Sequence, residues 1–384
     1  MLIAGEPSGD LLASELVLAL REQWPSVKFF GAGGAQMAAA GVELAFDMRE
    51  HAVVGIPTPG KLFALRYVAG QLRSLAAERK ADAVVGVDYG AFNLRLGHAI
   101  RQQVRNHPRA NWNPKLVQFV SPQVWASRPG RAKQLEADYD LLLSIFPFEK
   151  AWYAEHAPKL RVEFVGHPMV DRMRELKIST SGFGARSPEP GAAIPKAGPM
   201  ILLLPGSRKS ELKHHLPVML GALKVIREKL PSARAKMVLP NEELKKLVPA
   251  TLPDIEIQAG NLPEMLAQAD LAITKTGTVT MECAFFGVPA VTMYKKALLG
   301  LAIALGIVTV KSLTMPNLMA GEEVYPEFIQ AAATPENVAR AALELLQSES
   351  RREKMKSQLA KIIASLGEPG ASRRAAEEIS SLFQ

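Results

Sequence analysis

The sequence predicts two consecutive α/β domains, each an open sheet of parallel strands with helices on its faces. Three observations carry this. The chain has 384 residues, more than one typical domain and enough for two that each bury a core. Short apolar runs alternate with stretches of helical period along both halves, the pattern of parallel strands joined by crossover helices. Between residues 179 and 199 Gly, Ser, Pro and Ala take over without periodicity, and the alternation then restarts.

In order along the first half, Leu2, Ile3 and Ala4 read as the tail of a strand that is either short or begins upstream. Further strands are expected at 27–30, 83–87, 116–120, 141–145 and 162–165, with helices at 11–21, 61–79 and 94–104. In the second half strands are expected at 200–204, 236–239, 255–257, 271–274 and 290–293, with helices at 217–229, 262–269 and 279–286. The tail from 335 to 383 reads as helical, broken by Gly367-Glu368-Pro369-Gly370. The domain boundaries that follow are 1–175, a linker over 176–199, a second domain over 200–345, and C-terminal helices over 346–384 able to pack back on the first domain. Both domains are Rossmann-like and are expected to face one another across a cleft. Ligands then bind beyond the carboxyl ends of the strands.

Composition narrows the function. Hydrophobic residues make up 48% and charged residues 22% of the chain, which describes a folded globular protein. Cys283 is the single cysteine; an internal disulfide is excluded, and its apolar helical setting reads as a buried structural thiol. The net charge of +8 favours anionic partners. Sparse aromatics without a basic-aromatic strand pattern argue against nucleic acid. No secretory signal opens the chain. The longest apolar run, 297–310 between lysines, is shorter than the roughly 20 residues of a bilayer span and reads as a buried helix, with interfacial contact as the alternative.

Several loops sit where strands end. Gly5-Glu6-Pro7-Ser8-Gly9-Asp10 leads into a helix, with Ser8 or Asp10 as the expected cap, and Gly31-Ala32-Gly33-Gly34 reads as a bend. Asp88 ends a buried strand, where a carboxylate either takes a proton from a hydroxyl or caps the next helix. Ser121-Pro122-Gln123-Val124-Trp125 is a proline-stiffened loop with an indole for recognition or packing. Gly206, Ser207 and Arg208 lie between strand and helix, and combine amides, a hydroxyl and a guanidinium suited to a diphosphate. Thr276-Gly277-Thr278 enters a helix on which Glu282 stands about one turn later, where a carboxylate accepts ribose hydroxyls. His167 reads as structural. No cluster has metal-ligand spacing.

These loops together resemble the lipid-A-disaccharide synthases. The matching stretches are AGEPSGD (4–10), FNLRL (92–96), VSPQVWASRPGR (120–131), FPFE (146–149), FVGHP (164–168), LLPGSRKSEL (203–212), the TGT…E…GVP run (276–289) and MPNLMAGEEVYPEF (315–328). They keep the family's order over most of the chain. The resemblance implies a GT-B fold with an acceptor-side first domain and a UDP-sugar-binding second domain. It implies inverting transfer of 2,3-diacylglucosamine from its UDP conjugate to 2,3-diacylglucosamine 1-phosphate, giving the β-1,6 disaccharide 1-phosphate and UDP. Asp88 then matches the acceptor-activating base. Gly206, Ser207, Arg208, Thr276, Gly277, Thr278, Glu282 and Asn317 fall on the nucleotide side, and Glu6, Ser8, Asn93, Gln123 and Trp125 on the acceptor side. No metal and no cofactor are expected. The partners are the two acylated sugars and the cytoplasmic face of the inner membrane, to which the protein would be peripheral; a homodimer stays open.

Two positions depart from the family. It usually reads D-A-P-D-F-N where this chain has Asp88-Tyr89-Gly90-Ala91-Phe92-Asn93, so a second carboxylate is missing at Ala91. It commonly has a glutamate about where Thr58 stands. Both bear on the acceptor more than on the reaction class. They keep two other readings in view: a UDP-sugar epimerase, and a non-catalytic or altered-acceptor relative that binds UDP-sugar or lipid.

Overall fold

The computed structural model describes residues 1–48, 59–180, 198–249, 252, 254–295 and 310–384. Thr58, most of the expected linker and the apolar run up to 309 lie outside the described residues. The chain forms two compact units, Met1–Asp171 with Leu366–Gln384, and Arg172–Ser365.

The first unit holds seven strands: β1 (Leu2–Ala4), β2 (Phe30–Gly33), β3 (Glu43–Asp47), β4 (Ala83–Val87), β5 (Lys115–Phe119), β6 (Leu141–Ser144) and β7 (Val162–Phe164). Their order is β3-β2-β1-β4-β5-β6-β7, and every pair is parallel. The second unit holds β8 (Met200–Leu204), β9 (Arg234–Leu239), β10 (Ile255–Ala259), β11 (Leu271–Lys275), β12 (Ala290–Tyr294) and β13 (Glu327–Ile329). Its order is β10-β9-β8-β11-β12-β13, again all parallel. Central strands are buried on both faces, which is why they read as continuous apolar runs. In each sheet the order reverses once, at β1/β4 and at β8/β11. Ligand crevices open there, beyond the carboxyl ends, and the glycine-rich loops and Asp88 follow these four strands.

Some elements differ from the expectation. β2 begins at Phe30 and takes in Gly31–Gly33, so these residues are strand rather than bend. Gly31 has φ +152°, and a Cβ there would sit 1.9 Å from the Leu2 carbonyl oxygen, so only glycine lets β1 and β2 approach. The first helix runs Pro7–Gln23 with Glu6 at its N-cap position and no side-chain cap. Asp10 instead accepts from the backbone N–H groups of Gly34, Gln36 and Met37 at 2.8, 3.0 and 3.1 Å, and so caps the following helix, Ala35–Ala39. The helix expected from Pro217 begins eight residues earlier and spans Lys209–Lys229. β3 and β13 were not expected; both are partly exposed edge strands without a continuous apolar run.

The tail divides. Helix Glu349–Ser365 belongs to the second unit, whereas helix Ala371–Ser380 returns to the first. There Ala371, Ala375, Ala376 and Ile379 are buried. Gly370 N–H donates to Asp171 at 2.6 Å, Arg374 donates to the Val165 carbonyl at 2.8 Å, and Arg161 pairs with Glu378 at 2.5 Å. Cys283 is buried, as expected, and burial pushes its thiol well above its ordinary range.

Candidate active site

Asp88 leaves β4 in the left-handed region, φ 51°, and Tyr89 follows at φ 42°. Two such residues in succession cost about 1–2 kcal/mol each, so the surroundings must hold them. The side-chain amides of Asn93 and Gln118 both donate to the Asp88 carbonyl at 2.9 Å, and Asp88 N–H donates to the Phe119 carbonyl at 2.6 Å. The Tyr89 ring lies over Gly5, where a Cβ would come within 2.2 Å of it, and stacks on Phe92 at 5.4 Å. The outcome is a carboxylate presented at the sheet's reversal point, with Ser8 Oγ donating to its Oδ2 at 3.3 Å. Backbone strain held by converging groups is characteristic of functional sites.

Glu6 is exposed on the loop that follows β1, and burial, followed by the Glu6 charge, raises the Tyr89 hydroxyl above its ordinary range. A cavity of about 360 Å³ lies between the loops that follow β1 and β2, lined among others by Glu6, Asp10, Gly34, Gln36 and Met48. Of the other residues expected on the acceptor side, Gln123 is exposed ahead of helix Val124–Ser127. Asn93 and Trp125 are buried. Asn93 acts on the Asp88 backbone, and the Trp125 indole N–H donates to Glu149 at 2.9 Å while its ring meets Phe148 edge-on at 5.0 Å. Trp125 therefore fastens its loop to helix Pro147–His156 and does not line an open surface. His167 is likewise structural, accepting from Met169 N–H at 3.1 Å.

In the second unit, Gly206, Ser207 and Arg208 connect β8 to helix Lys209–Lys229, with Arg208 at the N-cap position. Glu211 organises this loop. It accepts from Ser207 N–H at 2.8 Å and lies 3.7 Å from Arg208 and 3.5 Å from Lys275. Gly206 has φ +131°, and a Cβ there would fall 2.4 Å from the Glu211 carboxylate. His215 is buried, with Nδ1 2.8 Å from the Pro205 carbonyl and Nε2 accepting from Lys295 N–H at 3.1 Å. Burial lowers the ring's pKa below the ordinary value. Two cations, Arg208 and Lys275, thus flank the loop at the β8/β11 reversal, both within 4 Å of the Glu211 carboxylate.

Thr276, Gly277 and Thr278 follow β11 and open helix Val279–Phe285; Thr278 precedes it without a side-chain cap bond. Thr276 is buried. Glu282 is half-buried, has no side-chain hydrogen bond among the described residues, and is raised above the ordinary carboxylate range by burial. A desolvated carboxylate with free acceptor capacity suits a diol. Asn317 is placed differently: it is buried, donates to the Tyr325 carbonyl at 2.9 Å, and accepts from Val324 and Tyr325 N–H. It shapes the 324–325 turn. Among the described residues no group of His, Cys, Asp or Glu could hold a metal.

Gln118, Glu211 and Lys275 were not singled out from the sequence. For Glu211 a signal existed, a glutamate three residues after the helix N-cap. Gln118 inside β5 gave none.

The lipid-A-disaccharide synthetase family model matches residues 1–381. The chain is similar to the lipid-A-disaccharide synthase of Myxococcus xanthus, 34% identical over all of this chain and 97% of that protein. It is similar to that of Syntrophus aciditrophicus at 33%, over 98% of this chain and 95% of the relative. Among solved structures it resembles the Neisseria meningitidis UDP-GlcNAc 2-epimerase bound to UDP-GlcNAc, with TM-score 0.64, 12% identity and 99% of each chain covered. It also resembles the glycotransferase of kitacinnamycin, with TM-score 0.59, 16% identity, and coverage of 100% of this chain and 98% of that one. These structural likenesses establish the two-domain GT-B fold.

Proposed function

The chain belongs to the lipid-A-disaccharide synthetase family of glycosyltransferases, and from that premise we propose how its two sets of loops divide the reaction. The donor is UDP-2,3-diacylglucosamine and the acceptor 2,3-diacylglucosamine 1-phosphate. Asp88 takes the proton of the acceptor's 6-hydroxyl as that oxygen forms a bond to the donor's anomeric carbon. The bond from this carbon to the UDP oxygen breaks on the opposite face, and the electron pair leaves with UDP. The α linkage becomes β without a covalent sugar–enzyme intermediate. Arg208, the amides of Gly206 and Ser207, and Lys275 receive the charge that grows on the departing diphosphate. Glu282, with Thr278 beside it, accepts the ribose hydroxyls.

The observation that carries this reading is the placement of Asp88. Its backbone is held at the switch point by Asn93 and Gln118, while its carboxylate accepts a hydrogen bond from Ser8. Association with the cytoplasmic face of the inner membrane is part of the proposal. Phe63 and Tyr67 stand 69% and 66% exposed, four residues apart on helix Pro59–Glu78, with Arg66 and Arg73 exposed nearby. Aromatic and cationic side chains together suit an anionic lipid surface. Among the described residues no helix is long and apolar enough to cross a membrane.

Asp88→Asn keeps the volume and removes the base, so kcat should fall about a thousandfold while UDP binding by calorimetry stays unchanged. Arg208→Ala should do the reverse, weakening UDP binding by roughly 10- to 100-fold. Near-normal turnover in Asp88→Asn would remove this residue from the mechanism.

A further inference from the structure

Among the described residues, three guanidiniums of the first unit stand without counterions. Arg95 is exposed on helix Gly90–Asn106, and Arg128 and Arg131 bracket the single 3₁₀ turn Pro129–Arg131, where Arg131 N–H donates to the Arg128 carbonyl at 3.0 Å. None of the three makes an ion pair or side-chain hydrogen bond among the described residues. Their neighbours on the same helix do: Arg101 pairs with Asp140 at 2.6 Å, and Arg105 lies 3.7 Å from Asp138. The three are close enough to feel one another. Burial first, then the charges of Arg128 and Arg95, lower the Arg131 pKa. Like charges gathered without compensation are costly unless an anion joins them.

Ala91 sharpens the point. It is exposed, one helical turn before Arg95. A carboxylate at 91, where the family usually has one, would lie within reach of Arg95 and neutralise it. Among the described residues of this chain nothing does.

We propose that Arg95, Arg128 and Arg131 form a phosphate-monoester site that takes the 1-phosphate of the acceptor sugar. The inference rests on the transferase reading above. Arg95 lies five residues into the helix that begins just after Asp88, roughly 8 Å along its axis. C1 and C5 flank the ring oxygen, so the 1-phosphate and the 6-hydroxymethyl group project from neighbouring corners of the hexose, and an acceptor whose hydroxyl meets Asp88 holds its phosphate within reach of the long side chains of this cluster. Gly90 supports the arrangement, since a Cβ there would already lie 3.3 Å from Pro122 of the loop that leads to Arg128. A planar guanidinium binds phosphate oxygens in pairs, so the site would set acceptor position as well as affinity.

The test compares initial rates on diacylglucosamine 1-phosphate and on the same sugar without phosphate, using the full chain. Arg95→Ala and Arg128→Ala should raise the acceptor KM for the phosphorylated sugar about tenfold or more. They should leave the donor KM unchanged and lose the wild-type preference for phosphate. Ala91→Asp should move the same constants in the same direction without removing a guanidinium. NMR titration with glucosamine 1-phosphate gives a readout free of turnover. If wild type makes no disaccharide but binds this probe, and Arg128→Ala does not, the transfer reading fails and the phosphate site stands. Unaltered probe binding and acceptor preference in the variants would overturn the proposal. So would loss of binding to phosphatidylglycerol vesicles with acceptor preference intact, which would assign the cluster to the membrane surface.

Discussion

Glu149 lies fully buried beneath the loop that carries Trp125, and donors surround its carboxylate: the Trp125 indole, the Ser121 side chain and backbone N–H groups of Ile145 and Phe146. Those donors favour the ionised form, yet burial outweighs them and pushes the pKa up from 4.5 to about 7. Between these values the folded state holds a proton that the unfolded chain has released. Stability from this group is therefore greatest below about pH 4.5 and declines as pH rises through about 7. Urea midpoints should fall over this window by the equivalent of about 3 kcal/mol, and Glu149→Gln should flatten the slope; an unchanged slope would show that Glu149 is ionised throughout. Single residues were unevenly legible. The apolar run before Asp88 marked it as a carboxylate at a strand end, but left proton transfer and helix capping both open, and only the resemblance assigned it the role of base. Trp125 and Asn317 could not, because their partners, Glu149 and the 324–325 backbone, are brought to them by the fold. Family motifs name such residues without telling whether a side chain faces a ligand or the protein itself.

The elements carry the site by sharing caps. Asp10 belongs to the first helix but ends in the second loop, where it satisfies the N–H groups of Gly34, Gln36 and Met37 at the start of helix Ala35–Ala39. Asp10→Ala would strand all three in a largely buried position, and should cost about 3 kcal/mol of unfolding free energy by urea titration. A loss below about 0.5 kcal/mol would mean that water replaces the carboxylate. Strands were the most legible elements, since burial on both faces writes itself as unbroken runs such as Met200–Leu204. Edges were not: Glu43–Asp47 and Glu327–Ile329 are only half covered, so polar residues interrupt them. The helix at Lys209 was misplaced because Pro217 resembles a first-turn proline. The helix accommodates it on an exposed face, and the true start is marked by Glu211.

Across the whole molecule, the same device appears twice. Each unit has one all-parallel sheet with one reversal in strand order, and the residues of each proposed half-reaction follow the strands at that reversal. The two-domain plan was readable from the break in alternation near residue 179. The division of the tail between units was not, because the helices Glu349–Ser365 and Ala371–Ser380 are both amphipathic and only tertiary contacts decide where each packs. Mass spectrometry of the purified chain incubated with UDP-2,3-diacylglucosamine and 2,3-diacylglucosamine 1-phosphate tests the central claim most directly. The prediction is a disaccharide 1-phosphate appearing together with UDP, absent with Asp88→Asn. UDP binding without any disaccharide, or conversion of the UDP-sugar alone to an epimer, would contradict it.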